Sequence, residues 1–133
     1  MIGATAALSS TPGMLGYGLS KVGAHHLVQT LGDTTGKAAT PKAKRKASRK
    51  LQARQHGENN LDSMTVVGIL PTTIDTPSNR DAMPKADFGK WTQPSSIAQE
   101  IGTWITKPPL RPHSGSLVKV VSGSDGAKFH LAR

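Results

Sequence analysis

Hydrophobic positions cluster into four stretches separated by long polar ones. Between Thr11 and Gly32 the run PGMLGYGLSKVGAHHLVQTL places Leu15, Leu19 and Val22 along one edge at helical spacing, and Leu27, Val28 and Leu31 continue a broad apolar face. Thr11 before Pro12 suits an N-cap and first helical position, and Gly32 suits a C-terminal stop. The glycines inside this helix each lower intrinsic propensity by roughly 1 kcal/mol relative to alanine, which implies close packing against something. MTVVGILP, ending at Pro71, is an apolar run of strand length and predicts a buried strand of a parallel sheet. A long loop, TTIDTPSNRDAMPKADFGKWT, leads to a helix predicted from about Pro94 to Thr106, with Ile97, Ile101, Trp104 and Ile105 on one face and Thr92 as N-cap. After KPPLRPHSG, the run SLVKVVS with Leu117, Val118, Val120 and Val121 predicts a last strand, and the tail from Gly123 reads as surface.

The order helix, strand, helix, strand implies βαβ units with right-handed crossovers in a parallel sheet. At 133 residues with 35% hydrophobic and 4% aromatic content, the chain holds at most one domain with a small core. No run of 18 apolar residues occurs, and MIGATAALSS has no basic flank, so neither a membrane span nor a secretory signal is supported and a cytoplasmic setting is the expectation. Zero cysteines exclude disulfides and thiolate metal sites.

The formal charge of +9 is localised. Lys37, Lys42, Lys44, Arg45, Lys46, Arg49, Lys50 and Arg54 are eight of the seventeen basic residues and have no acidic residue among them. The remainder is nearly neutral. This polar stretch, about 33–63, predicts a loop or marginal helix inserted between the first helix and strand. It reads either as a nucleic-acid or nuclear-targeting patch, since clustered cations gain affinity by releasing phosphate counterions, or as a solvated insertion. No aromatic interleaves it, so base stacking is not indicated.

Tyr17 and Lys21 stand four apart, so a helix presents both on one side to a single small-molecule site. An ammonium beside a phenol stabilises its phenolate and makes it a better proton donor, which describes a general acid with its tuning group. The plain alternative is a surface pair, because Tyr-x-x-x-Lys is common. His25, His26, His56, His113 and His130 lack metal-ligand spacing with acidic partners, so no metal is expected, and Phe88, Trp91 and Trp104 read as core or loop anchors.

The segment GATAALSSTPGMLGYGLSKVGAHHLVQTL resembles the catalytic helix of short-chain dehydrogenases/reductases, and more closely that of their dihydropteridine-reducing branch. ILPTTIDTPSNRDAMPKADFGKWT and WITKPPLRPHSGSLVKVV are similar to that branch's strand-to-loop and closing helix-to-strand segments. The resemblance implies an α/β fold, the C-terminal part of a Rossmann-like doubly wound parallel sheet, with 1–133 a partial domain carrying the basic insertion. It implies reduction of a quinonoid dihydropterin by NADH or NADPH. Tyr17 would give or relay the proton, and Lys21 would hold the nicotinamide ribose. Ala4, thirteen residues before Tyr17, occupies the position where the wider family carries a serine, and Thr72 follows Pro71 where that family carries glycine; the pteridine branch departs similarly. Thr73, Ile74 and Thr76 would meet the carboxamide through backbone and hydroxyl groups, or simply form a turn.

The family's glycine-rich pyrophosphate turn belongs to an N-terminal half that the resemblance does not cover. Gly13, Gly16 and Gly18 do not supply it, since they lie within the Tyr17 helix segment. The expectations are that Met1–Ala4 is the end of a preceding strand, that MTVVGILP exposes one face and one edge, and that the chain alone does not turn over substrate. The resemblance also implies a homodimer, or association with a full-length subunit, through the Tyr17 helix. The rival reading is a non-catalytic interaction protein that pairs with such a subunit or binds nucleic acid through residues 37–54.

Overall fold

The computed structural model describes residues 1–35, 64–123 and 125–132, so most of the basic stretch lies outside the described residues. Helix α1 spans Leu15–Thr35, strand β1 Gly68–Pro71, helix α2 Pro77–Ala82, helix α3 Pro94–Thr106, strand β2 Leu117–Gly123 and strand β3 Gly126–Leu131. Short 3-10 turns occupy Thr5–Leu8, Phe88–Lys90 and Pro108–Leu110. The fold is mixed α/β. Its sheet has the order β1-β2-β3. β1 and β2 are parallel, from Gly68 opposite Leu117 to Pro71 opposite Val120, with α3 in the connection between them. Among the described residues no helix is long and apolar enough to cross a membrane.

All four β1 residues are buried, as expected for a strand covered on both faces. Ile69, Val118 and Val120 pack with Ile97 and Trp104 of α3, while Leu70, Leu117 and Val66 pack with Val28 of α1. Alternation along the strands therefore sends successive side chains to two helices on opposite faces. Leu70 is fully buried, which contributes about 1.5–3 kcal/mol for a side chain of its size. The expected exposed face and edge of MTVVGILP are thus corrected. α1 and α3 cover the faces, and Met1–Gly3 lies along the edge through an Ile2–Ile69 parallel bridge and the Gly3 N–H donated to the Ile69 carbonyl at 2.8 Å.

Three boundaries also differ from expectation. Gly13 has φ 78°, which no right-handed helix accepts, so α1 begins at Leu15 rather than Pro12. Gly32 does not stop α1, because it meets the backbone of Gly115 where a Cβ would collide. Thr92 does not cap α3; Gln93 takes that place without a side-chain bond. The wholly buried Thr92 instead bridges to Ile74, donates its N–H to the Thr73 carbonyl at 2.7 Å, and accepts a hydrogen bond from the Ser122 hydroxyl at 2.9 Å.

The tail from Gly123 holds β3, paired antiparallel to β2, with Phe129 edge-on to Trp104 at 6.3 Å. The predicted apolar faces are narrower than their spacing suggested. Leu15, Leu19 and Val22 are exposed on α1, as is Ile105 on α3.

Candidate functional site

Gly32 and Thr35, in the last turn of α1, meet Gly115 and Ser114, which lead into β2; the Thr35 and Ser114 hydroxyls are 2.7 Å apart. The earlier turns of α1 therefore extend toward the carboxyl ends of β1 and β2, where ligands of open α/β sheets bind. Tyr17 and Lys21 lie on those turns. The Lys21 ammonium sits 5.7 Å from the Tyr17 ring centroid, close enough for a cation–π contact. Tyr17 is 45% exposed and Lys21 half-buried. Among the described residues no hydrogen bond takes up the Tyr17 hydroxyl and no ion pair takes up Lys21.

One further turn along α1 brings His25 to the interior, only 6% exposed. Its Nε2 accepts the Ala4 N–H at 3.2 Å, which makes Nδ1 the protonated nitrogen of the neutral ring. Burial, and secondarily the Lys21 charge, hold its pKa below the ordinary histidine value. Ala4 is itself buried, and the Thr5 hydroxyl donates to the Leu70 carbonyl at 2.5 Å, tying this segment to the carboxyl end of β1.

The opposite side is built by residues 72–93. Thr73 accepts from the Thr92 N–H, and the Asp75 N–H donates to the Thr92 carbonyl at 2.8 Å. Thr76 caps α2, its hydroxyl accepting the Asn79 N–H at 3.3 Å with Pro77 following as first helical residue. Asn79 in turn donates from Nδ2 to the Ile74 carbonyl at 2.8 Å. Asp75, whose side chain is 5% exposed, accepts both arms of the Arg80 guanidinium at 2.5 and 2.7 Å and Gln93 Nε2 at 2.7 Å. The Arg80 hydrogen bonds, followed by that from Gln93, hold the Asp75 carboxyl at about 2, and the same pairing raises the Arg80 pKa. Arg80 also lies 4.8 Å over the Phe88 ring, which meets Trp91 edge-on at 4.7 Å.

Tyr17 and Lys21 are thus adjacent, and Thr73, Ile74 and Thr76 follow the carboxyl end of β1. No hydrogen bond joins the two groups among the described residues. His25, Asp75, Arg80 and Gln93 are not among the site residues that the sequence predicts. Asp75 and Arg80, five apart across the Thr76-Pro77 helix start, carried a signal, whereas Gln93 is joined only by the folded loop.

No protein-family model matches the chain. It is 35% identical over 119 residues to the dihydropteridine reductase of Dictyostelium discoideum, an alignment covering 90% of this chain and 42% of that protein. The chain therefore spans well under half the length of this relative.

Proposed function

The chain is homologous to a dihydropteridine reductase over most of its length, and from that premise we propose that it carries the proton-transfer site of a reductase acting on quinonoid dihydropterin. The observation that supports this most is the Tyr17–Lys21 pair, adjacent at the carboxyl end of a parallel strand pair with both polar tips available to a ligand. Helices on both faces of that pair support a further reading, that this is the C-terminal part of a Rossmann-like doubly wound sheet of the short-chain dehydrogenase/reductase type.

The residues present suit a reduced nicotinamide, NADH or NADPH. A ribose needs hydrogen-bond donors, which Lys21 and Tyr17 offer, and a carboxamide needs the mixed donors and acceptors that Thr73, Ile74 and Thr76 carry. Thr76 keeps its hydroxyl proton for a ligand while its oxygen caps α2. When bound, the nicotinamide supplies the hydride. Tyr17 gives its hydroxyl proton to the pterin, and the Lys21 ammonium stabilises the phenolate left behind. Tetrahydropterin is the product, and the cytoplasm is the proposed setting.

Little turnover is expected from the chain by itself. Its glycine cluster, Gly13, Gly16 and Gly18, follows a 3-10 turn and runs into α1 instead of linking a strand to a pyrophosphate-cradling helix. The exposed Leu15, Leu19 and Val22 favour a second element of the proposal, self-association or pairing with a full-length subunit through α1. The nucleic-acid reading rests on residues 37–54, outside the described residues.

The test is reduced-nicotinamide binding followed by quinonoid dihydropterin turnover, with the chain alone and mixed with a full-length reductase. Tyr17→Phe is expected to lower whatever turnover is seen by about 10²–10⁴-fold while leaving nicotinamide binding nearly unchanged. Turnover that survives Tyr17→Phe sinks the proton role, and binding indifferent to Lys21→Met sinks the ribose role.

A further inference from the structure

We propose that His25 is a positioning residue for the Tyr17–Lys21 pair: its neutral imidazole anchors one end of a strap, residues 4–11, that walls the site along α1. The purpose assigned to the strap rests on the function proposed above; the anchoring itself does not.

The strap touches α1 at two heights. At one end the Ala4 N–H donates to His25 Nε2, and at the other the Thr11 side chain sits where a Cβ on Gly18 would be. His25 and Gly18 are seven residues apart, two helical turns or roughly 10 Å, and Lys21 lies between them. The two contacts thus bracket the Lys21 turn of α1 and reach the turn that carries Tyr17. Its 3-10 turn, Thr5–Leu8, packs against α1 with Ala7 buried.

Anchoring at the Ala4 end depends on one proton. Any Cβ on Gly3 would collide with the His25 ring, 2.5 Å from Nε2, so the imidazole is seated directly against the strap backbone. As a neutral acceptor it completes the Ala4 N–H. Once protonated, it presents an N–H to an N–H, and the buried amide loses its partner. Lys21, one turn away on α1, adds a like charge. The elements packed against His25 offer no counter-charge: residues 2–14 and β1 contain no titratable side chain. Burial and Lys21 together keep the ring neutral at pH 7, its pKa lying below the ordinary 6.5. The unfolded chain therefore takes up the proton first on acidification. Stability from this contact is complete above about pH 6.5 and is lost as pH falls through the lower, folded value.

Tyr17 is the only tyrosine, so a ring-labelled tyrosine reports on it alone. The experiment follows the Tyr17 ring and the Ala4 amide by NMR from pH 7.5 downward in the full chain, in His25→Gln, whose amide oxygen accepts without titrating, and in His25→Ala. In the native chain both signals are expected to move together with the His25 titration. His25→Ala is expected to lose Ala4 exchange protection by about tenfold and to shift the Tyr17 ring at every pH; His25→Gln should restore both and abolish their pH dependence. A Tyr17 signal indifferent to His25, or the same pH dependence in His25→Gln, overturns the proposal. Reduced-nicotinamide binding, measured in parallel, should weaken in His25→Ala and recover in His25→Gln. If the native chain binds none, alone or mixed with a full-length reductase, the proposed function fails, while the NMR signals still decide whether His25 holds the strap.

Discussion

On the α1 side of the sheet's carboxyl end the Tyr17 and Lys21 tips are left without hydrogen bonds among the described residues, whereas the 72–93 side ties its polar groups to one another. On α1 the Tyr17 hydroxyl and Lys21 ammonium have no hydrogen-bond or ion-pair partner among the described residues, and the apolar side chains around them are exposed. On the other side, Asp75, Thr76, Asn79, Arg80, Thr92 and Gln93 are all engaged, by side chain or backbone, in holding one loop. Under the proposed function the Tyr17 and Lys21 groups exchange protons with a ligand, and they are useful for that only if unspent. A loop that must keep its shape while a ligand enters needs its internal bonds made beforehand. The two sides share a support, since β1 carries Leu70 toward α1 and delivers the chain into Thr72.

Leu70→Ala breaks that shared support and should have the largest effect. The residue is wholly buried among Val28, Val66 and Leu117, and removing it should destabilise the chain by about 2–5 kcal/mol. Denaturant unfolding measures the loss. If the loss falls below 1 kcal/mol, α1 is not held by this face, and the contrast between a supported loop and an open helix has the wrong basis. Gly115→Ala should come next, at about 1–2 kcal/mol, because φ 89° strains any residue with a Cβ and the site faces Gly32. An unchanged unfolding midpoint would show that the Gly32–Gly115 approach is not what fixes the end of α1.

The elements that periodicity marked were those whose burial follows from their own side chains. Val28 on α1, Ile97 and Trp104 on α3, and the apolar strands β1 and β2 are of this kind. Departures arose where a partner distant in sequence decided the outcome. Gly32 stays helical because Gly115 needs the space, and Thr92 abandons its capping role because Ser122 and Thr73 use it. β3 escaped notice because its outward positions are exposed, although Asp125-Gly126 is a hairpin signal and Gly126 takes φ 96°. The adjacency of Tyr17 and Lys21 follows from their spacing of four, but that spacing is common on helix surfaces, and it was the surrounding segments that singled the pair out. The Asp75 clamp was only half visible, since Gln93 arrives from 18 residues away.

The loop side can be loosened without touching the helix side by titrating Asp75. Its carboxyl is held near 2 against an ordinary 3.8, so the unfolded chain binds the proton first. The contribution of the clamp is present above about pH 3.8 and declines as pH falls through about 2. Exchange of the Asp75 and Thr92 amides should accelerate over this range, with Trp91 emission shifting in parallel. Asp75→Asn should show the accelerated exchange already at pH 7 and no further change between pH 4 and 2. Persistence of the native acid transition in Asp75→Asn would assign it to another carboxylate.

The smallest stability effect is expected from Leu19→Lys on the open side. Leu19 is 71% exposed and sits between the likewise exposed Leu15 and Val22, so its replacement should change monomer stability by no more than about 0.5 kcal/mol. The informative quantity is association. A charge in the middle of this stripe should shift any self-assembled form toward monomer in sedimentation, because an uncompensated ammonium cannot be buried cheaply. Tyr17 lies two residues away on α1, and its ring signal should stay unchanged in the variant. Should Leu19→Lys instead unfold the chain, the stripe would be covered within the protein itself, and α1 would not be open on this side.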